Sequence, residues 1–264
     1  IPYDIEYRIW LDGQVRWIAE KSSPIFREDG KLLKNSGICR DITRRKENEA
    51  IIRKKNKDMS DSILYARTIQ DAILVPKRKI AEKLKDFFIL SKPKDIVGGD
   101  FYFYKETESG FFLGAADCTG HGVPAGFMSM IGSSFLNEIV DSHVERNPAF
   151  LLNKLRERII QALNQNQQSI NQDGMDMALL YFDNDLRTVQ YAGAFNPLYI
   201  IKKGVLTEYK ADLFSVGMNE VMETSPFKNN NIVLEKGDAL YIFTDGYTDQ
   251  FGGPHDRKFL KKQF

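Results

Sequence analysis

The stretch Ala115-Ala116-Asp117-Cys118-Thr119-Gly120-His121-Gly122-Val123-Pro124-Ala125 carries most of what this sequence says about its fold. Phe111–Ala116 reads as an apolar strand, so Asp117 falls where a strand opens to solvent. Gly120 and Gly122 allow a tight turn and let backbone approach a ligand closely. Pro124 suits the first turn of a helix, predicted here over 123–140. A helix N-terminus beside Asp117 turns backbone N–H groups and the positive end of the helix dipole toward an anion.

The same local grammar recurs at Gly98-Gly99-Asp100 and at Phe243-Thr244-Asp245-Gly246. Any one of these aspartates can be a turn cap, which is common work for Asp. Taken together they read differently. Carboxylates that converge without Arg repel one another, and the usual relief is a hard divalent cation such as Mg²⁺ or Mn²⁺. With three His and two Cys in the chain, zinc and copper fit less well. Asp100, Asp117 and Asp245 are therefore the candidate metal-ligating and catalytic residues. An acidic cluster next to a helix start that accepts anions makes a phosphate-processing site.

Working outward, residues 86–264 mix strands and helices. Strands are predicted at Phe87–Leu90, Phe101–Tyr104 and Phe111–Ala116, then near 175–183, 187–193, 197–202, 231–235 and 238–244. A second helix is predicted over 148–165, with Leu151, Leu152, Leu155, Ile159, Ile160 and Leu163 on one face. Strand runs that flank a helical block indicate α+β layers and not a strict βαβ alternation.

Upstream the character changes. Residues 43–74 hold no Gly or Pro, and Ile52, Met59, Ala66 and Ile73 recur every seven residues, with Ile63 and Ile69 beside the same stripe. That period suits a long helix, either a dimeric coiled coil or a single amphipathic helix, with polar Asn56 and Gln70 at seam positions. Pro76 ends or restarts it. Residues 1–43 alternate apolar and polar, with turn signals at Asp12-Gly13 and Asp29-Gly30, and read as an antiparallel meander of about three strands.

Composition bounds the function. The 264 residues carry 37 Lys+Arg against 36 Asp+Glu, a balance that argues against a general nucleic-acid binder. The balance is uneven locally: residues 40–57 hold eight Lys/Arg and three Asp/Glu, read as a solvated helix face. Cys39 and Cys118 form no disulfide framework and no thiolate zinc site, which fits a reducing cytoplasm. No stretch approaches the roughly 20 apolar residues needed to span a bilayer. The chain begins at Ile1 without a signal-peptide pattern and reads as a piece of a longer protein.

Three motifs carry a resemblance. Ile96-Val97-Gly98-Gly99-Asp100-Phe101-Tyr102, Asp117 through Ala125, and Gly237-Asp238 followed by Thr244-Asp245-Gly246 resemble the SpoIIE-type bacterial serine/threonine phosphatases. Asp173-Gly174-Met175-Asp176-Met177-Ala178 and Ala192-Gly193-Ala194-Phe195-Asn196-Pro197 are similar to the same family's later strands. These phosphatases belong to the metal-dependent PPM group, which includes protein phosphatase 2C. The resemblance implies an α+β fold over 86–264, a PPM-type β-sandwich flanked by helices. It also implies two Mn²⁺ or Mg²⁺ ions at one sandwich edge. Asp117 would bridge them, the Cys118 backbone carbonyl would be a further ligand, and Asp100 and Asp245 would each support one ion. The implied activity is hydrolysis of phosphoserine or phosphothreonine by a metal-activated water. By analogy the substrate is a regulatory protein such as an anti-sigma-factor antagonist.

Trp17, Pro24, Asp29-Gly30, Gly37 and Asp41-Ile42-Thr43 resemble the C-terminal strands of a PAS sensor domain. The implied order is 1–43 sensor strands, 44–85 helical signalling linker, and 86–264 phosphatase, with a homodimer formed through the linker.

Gly120 and His121 are supporting candidates. His121 is either a general acid for the leaving serine or threonine oxygen or a loop-orienting hydrogen-bond partner. Asp176, read as mid-strand, either faces the site or pairs with a nearby donor, and it stays outside the catalytic set. Nothing identifiable beside Cys118 activates its thiol. The family also implies a metal-binding Asp within an Asp-Asp pair after a further helix, and residues 251–264 carry none. On that reading the domain is cut short at its C-terminus, with an unpaired sheet edge. The Asp245 ion is then one ligand short, and the fragment need not be active. Two rivals remain, a non-catalytic phosphatase-fold module that binds a partner, and a phosphohydrolase acting on a small molecule.

Overall fold

The computed structural model describes residues 3–165, 172–217, 225–252, 254 and 256–260. The chain divides into two compact units, Ile1–Ser62 and Ile63–Phe264.

In the first unit, β1 (Tyr3–Leu11), β2 (Gln14–Phe26) and β3 (Leu32–Asp41) form an antiparallel sheet in that order. Asp12 and Gly13 both take positive φ, 50° and 74°, and join Leu11 to Gln14 in a two-residue hairpin whose twist matches the strands. The long helix α1 (Thr43–Ile73) follows at once. The Asp41 carboxylate accepts the Thr43 N–H at 2.8 Å, and the Thr43 hydroxyl accepts the Trp17 N–H at 2.9 Å. Through the middle of α1 the apolar stripe lies open. Ile52 and Met59 are 58% and 61% exposed.

In the second unit, Pro76 sits at the N-cap of α2 (Lys77–Lys83), where its missing N–H costs nothing. The main sheet is built from β4 (Phe101–Thr107), β5 (Gly110–Cys118), β6 (Met175–Asp183), β7 (Thr188–Ala194) and β10 (Asn230–Val233). Its order is β10-β7-β6-β5-β4, antiparallel throughout. Between β5 and β6 run α3 (Gly122–Ser142) and α4 (Pro148–Ala162). A second sheet, ordered β11-β8-β9, comprises β8 (Leu198–Lys202), β9 (Val205–Tyr209) and β11 (Ala239–Tyr241). A short pair, β12 (Phe251–Gly252) and β13 (Arg257–Lys258), follows.

The two-residue period of the main strands sorts their side chains into two cores. Phe101, Phe103, Phe112, Ala116, Met177, Leu179 and Tyr181 pack on α3 and α4, among them Leu136, Ile139, Leu151, Leu152, Leu155 and Ile159. The alternate residues Tyr104, Phe111, Ala178, Leu180 and Phe182 pack on Leu198 and Ile200 of the second sheet and on Ile80 of α2. Each fully buried Leu or Ile of α4 is worth about 1.5–3 kcal/mol over its exposed state. The result is an α+β sandwich with α3 and α4 on the outer face of the main sheet and α2 packed into the core between the sheets.

Four expectations change. Phe87–Leu90 is no strand: Phe87 and Ile89 turn inward and Phe88 and Leu90 outward, as in a strand, but among the described residues no other strand pairs with it, and the Ile89 carbonyl accepts from Lys77 Nζ at 3.3 Å instead. The helix predicted over 148–165 stops at Ala162, and the strand predicted over 238–244 shrinks to Ala239–Tyr241. β9 went unread because Val205–Tyr209 lies mostly exposed and lacks an apolar signal strong enough to stand out.

Candidate metal centre

Three strands bring three carboxylates to one edge. Asp117 lies opposite Asp176 in the β5–β6 register, and Phe101 lies opposite Ala116, so Asp100 falls in line one step on. By strand parity all three point to the face shared with Tyr104, Phe111 and Leu180, toward the second sheet. Asp245 reaches the same place from the loop after β11. The Asp117 carboxyl hydrogen-bonds to both Asp100 and Asp245, and Asp100 hydrogen-bonds to Thr244.

Glycine makes the approach possible at Gly99, and Gly246 brings its loop into contact with the same cluster. A Cβ on Gly99 would lie 2.9 Å from the Ala125 Cβ and 3.1 Å from the Cys118 carbonyl oxygen, so the chain entering Asp100 runs tight against that carbonyl and α3. A Cβ on Gly246 would lie 3.4 Å from the Asp100 carboxylate.

The electrostatics follow from this crowding. Burial first, then the charges of Asp100 and Asp245, push the Asp117 carboxyl up to about 8. Burial also raises Asp100, against the opposing effect of its hydrogen bonds to Asp117 and Thr244. The buried Cys118 thiol is pushed up strongly, by burial and then by Asp117, Asp100 and Asp176, so it is held as an inert thiol.

The turn after Asp117 is fastened to β6. The Thr119 N–H and hydroxyl both donate to the Gly174 carbonyl, at 3.0 and 3.1 Å. Gly120 takes φ 87° and Gly122 takes φ 67°, and α3 begins at Gly122 with Pro124 in its first turn. The His121 side chain is 87% exposed, with Nδ1 3.2 Å from the Asp95 carboxylate. A depression of about 220 Å³ opens here, lined by Asp117, Cys118, Thr119, Gly120, Asp176 and Ser215.

Asp176 and Ser215 are the residues that sequence reasoning undervalued. Asp176 is the second residue of β6, not a mid-strand one, and the Ser215 hydroxyl donates to its carboxylate. The alternation Met175-Asp176-Met177-Ala178 held the signal, because only Asp176 and Ala178 share the face of Asp117. Ser215 had no sequence signal: it arrives through the bridge between Met175 and Val216.

The donor set suits a hard divalent cation. It is all oxygen, it carries excess negative charge, and one carboxyl is driven to bind a proton well above its ordinary range. Among the described residues no three acidic, His or Cys side chains are arranged to hold a metal ion as they stand, and Asp117 is tied to its neighbours by hydrogen bonds instead. A proton and a cation relieve the same repulsion, so the residues present fit the ion.

A β-sandwich with flanking helices and an acidic edge is the architecture of the PPM phosphatases. Residues 107–263 match the family described as Stage II sporulation protein E (SpoIIE), and the chain belongs to that family. It is 24% identical over 199 residues to the phosphoserine phosphatase RsbU of Bacillus subtilis (strain 168), covering 73% of this chain and 55% of RsbU. The chain thus spans about half the length of that curated relative. Among solved structures it resembles the SiaA-PP2C domain of Pseudomonas aeruginosa, with a TM-score of 0.70 and 33% identity over 79% of this chain and 80% of that one.

Proposed function

We propose that the chain is a divalent-cation-dependent phosphatase that hydrolyses phosphoserine or phosphothreonine on a regulatory protein. The convergence of Asp100 and Asp117 in register on neighbouring strands, with the Asp245 loop brought against Asp100 at Gly246, carries this reading. Family membership supports it. Asp100, Asp117 and Asp245 would hold the cation through their carboxylates, and the Cys118 carbonyl would add a neutral oxygen. When bound, Mn²⁺ or Mg²⁺, two ions by family analogy, would supply a water activated at neutral pH and charge neutralisation for the phosphoryl group.

The chain's own residues do the rest. Thr119 and Gly174 fix the turn that aims Asp117. Gly120 and Gly122 leave room for a phosphoryl group at the start of α3, whose free N–H groups favour an anion. His121, held toward Asp95, orients this turn. Asp176 and Ser215 border the depression and receive no catalytic role.

We further propose that residues 1–43 are the last strands of a PAS sensor, that 44–85 form a signalling linker, and that 86–264 form the phosphatase. The partner is a phosphorylated regulatory protein of the anti-sigma-factor-antagonist type, the compartment is the cytoplasm, and the chain dimerises through α1. The open stripe of Ile52 and Met59 supports that dimer.

The test is phosphate release from a phosphoserine protein with and without Mn²⁺. Release that needs Mn²⁺ and is lost in Asp117→Asn supports the proposal. A chain that binds a partner but never releases phosphate supports the signalling-module alternative.

A further inference from the structure

Gln70 sits on α1 at a position where the heptad stripe asks for an apolar residue, yet it is only 2% exposed. A buried amide costs free energy unless its hydrogen bonds are made. Its Nε2 donates to the Gly98 carbonyl at 2.7 Å and to the Ser129 hydroxyl at 2.8 Å. Ser129, fully buried on α3, spends its own hydrogen on the Gly126 carbonyl at 2.8 Å. Its oxygen therefore accepts, Gly98 can only accept, and the amide must present its NH₂ group to both. One turn earlier on the same helix face, Arg67 Nη1 donates to the Ile96 carbonyl at 3.1 Å.

These bonds converge on one short segment. Gly98 stands two residues before Asp100, and Gly99 between them runs against the Cys118 carbonyl. A Cβ on Gly126 would lie 2.1 Å from Val97 and 3.6 Å from Gln70 Nε2, so α3 presses on the same segment from its other side. An apolar residue of equal size would fill the space, but it would leave the half-buried Gly98 carbonyl with no donor from α1.

We propose that Gln70 is a positioning residue for the metal centre: it ties the backbone before Asp100 to α3, whose first turn follows Asp117, and so fixes the spacing of the two carboxylates. This rests on the phosphatase reading above, and Gln70 touches neither ion nor substrate.

The experiment uses the full chain, with Gln70→Met to keep volume without donors, Ser129→Ala, and the double variant. Mn²⁺ affinity is measured by calorimetry, kcat and KM on a phosphoserine protein, and hydrogen exchange across 96–101. Loss of a buried neutral hydrogen bond corresponds to roughly a threefold to tenfold change. Gln70→Met is expected to weaken Mn²⁺ binding by that factor, lower kcat with KM unchanged, and speed exchange at 98–100. The double variant is expected to fall short of the product of the single effects, because the two residues share a bond.

Wild-type Mn²⁺ affinity, kcat and exchange in Gln70→Met overturn the inference. If Gln70→Met does not fold, Ser129→Ala decides: weaker Mn²⁺ binding supports the inference and unchanged binding overturns it. A wild-type chain that neither binds Mn²⁺ nor releases phosphate contradicts the phosphatase reading itself. The exchange rates at 98–100 then still show whether Gln70 fixes this segment.

Discussion

Asp117 bears the heaviest electrostatic load in the cluster, and its titration makes a signed prediction. In the unfolded chain it releases its proton near pH 4, but in the folded metal-free chain it holds the proton to about 8. Between those values the folded state binds the extra proton, so stability falls as pH rises through the window. The thermal midpoint in chelator is expected to drop from pH 5 to pH 8 more steeply in wild type than in Asp117→Asn, and equal slopes would contradict the assignment. A cation must displace that proton, so Mn²⁺ binding should tighten over the same range, which calorimetry at three pH values checks. Asp117→Asn should lower phosphate release by at least about a hundredfold, more than is typical for a partner outside the ligand shell. Asp100 and Asp117 were legible as strand-end acids beside glycine, whereas Asp245, read the same way, lies in the loop four residues past the end of β11. Asp176 was not, because a single sequence does not reveal which strand lies opposite which.

At the scale of elements, the turn after β5 depends on backbone packing that small residues allow. A Cβ on Gly174 would lie 2.8 Å from the Val216 carbonyl oxygen, and Gly174 also accepts both hydrogen bonds from Thr119. Gly174→Ala is therefore expected to cost about 1–3 kcal/mol in denaturant unfolding, the usual scale of overpacking. It should also lower activity, because it moves the loop that aims Asp117. In α4, Leu155 is fully buried, and Leu155→Ala should cost about 2–5 kcal/mol. Helix α4 was legible because its start and its apolar face agree: the Asn147 side chain accepts from Ala149 and Phe150, and Pro148 opens the helix. Phe87–Leu90 misled because alternation reports burial on one side and says nothing about whether a neighbouring backbone is there to pair.

For the whole molecule, the order of periodic segments indicated α+β layers and the family resemblance implied the sandwich. The division into compact units, by contrast, falls at Ser62/Ile63, inside the helix that the sequence assigned whole to a linker, and the balanced net charge of +1 hid where the acids mattered. The polar seam residue Gln70 looked like a flaw in a coiled coil until the fold supplied Gly98 and Ser129 as its partners. Dimerisation through α1 is expected to disappear when Ile52 and Met59 are both changed to Glu. Sedimentation should then report a monomer, whereas a wild type that is already monomeric at every concentration would contradict the dimer. The central claim is that the acidic edge is a divalent-cation phosphatase site, and its most direct test is Mn²⁺-dependent phosphate release from a phosphoserine protein by wild type and Asp117→Asn side by side. The account predicts release by wild type that stops when Mn²⁺ is chelated and is lost in Asp117→Asn. Release that persists in Asp117→Asn, or no release by wild type at saturating Mn²⁺, would contradict it.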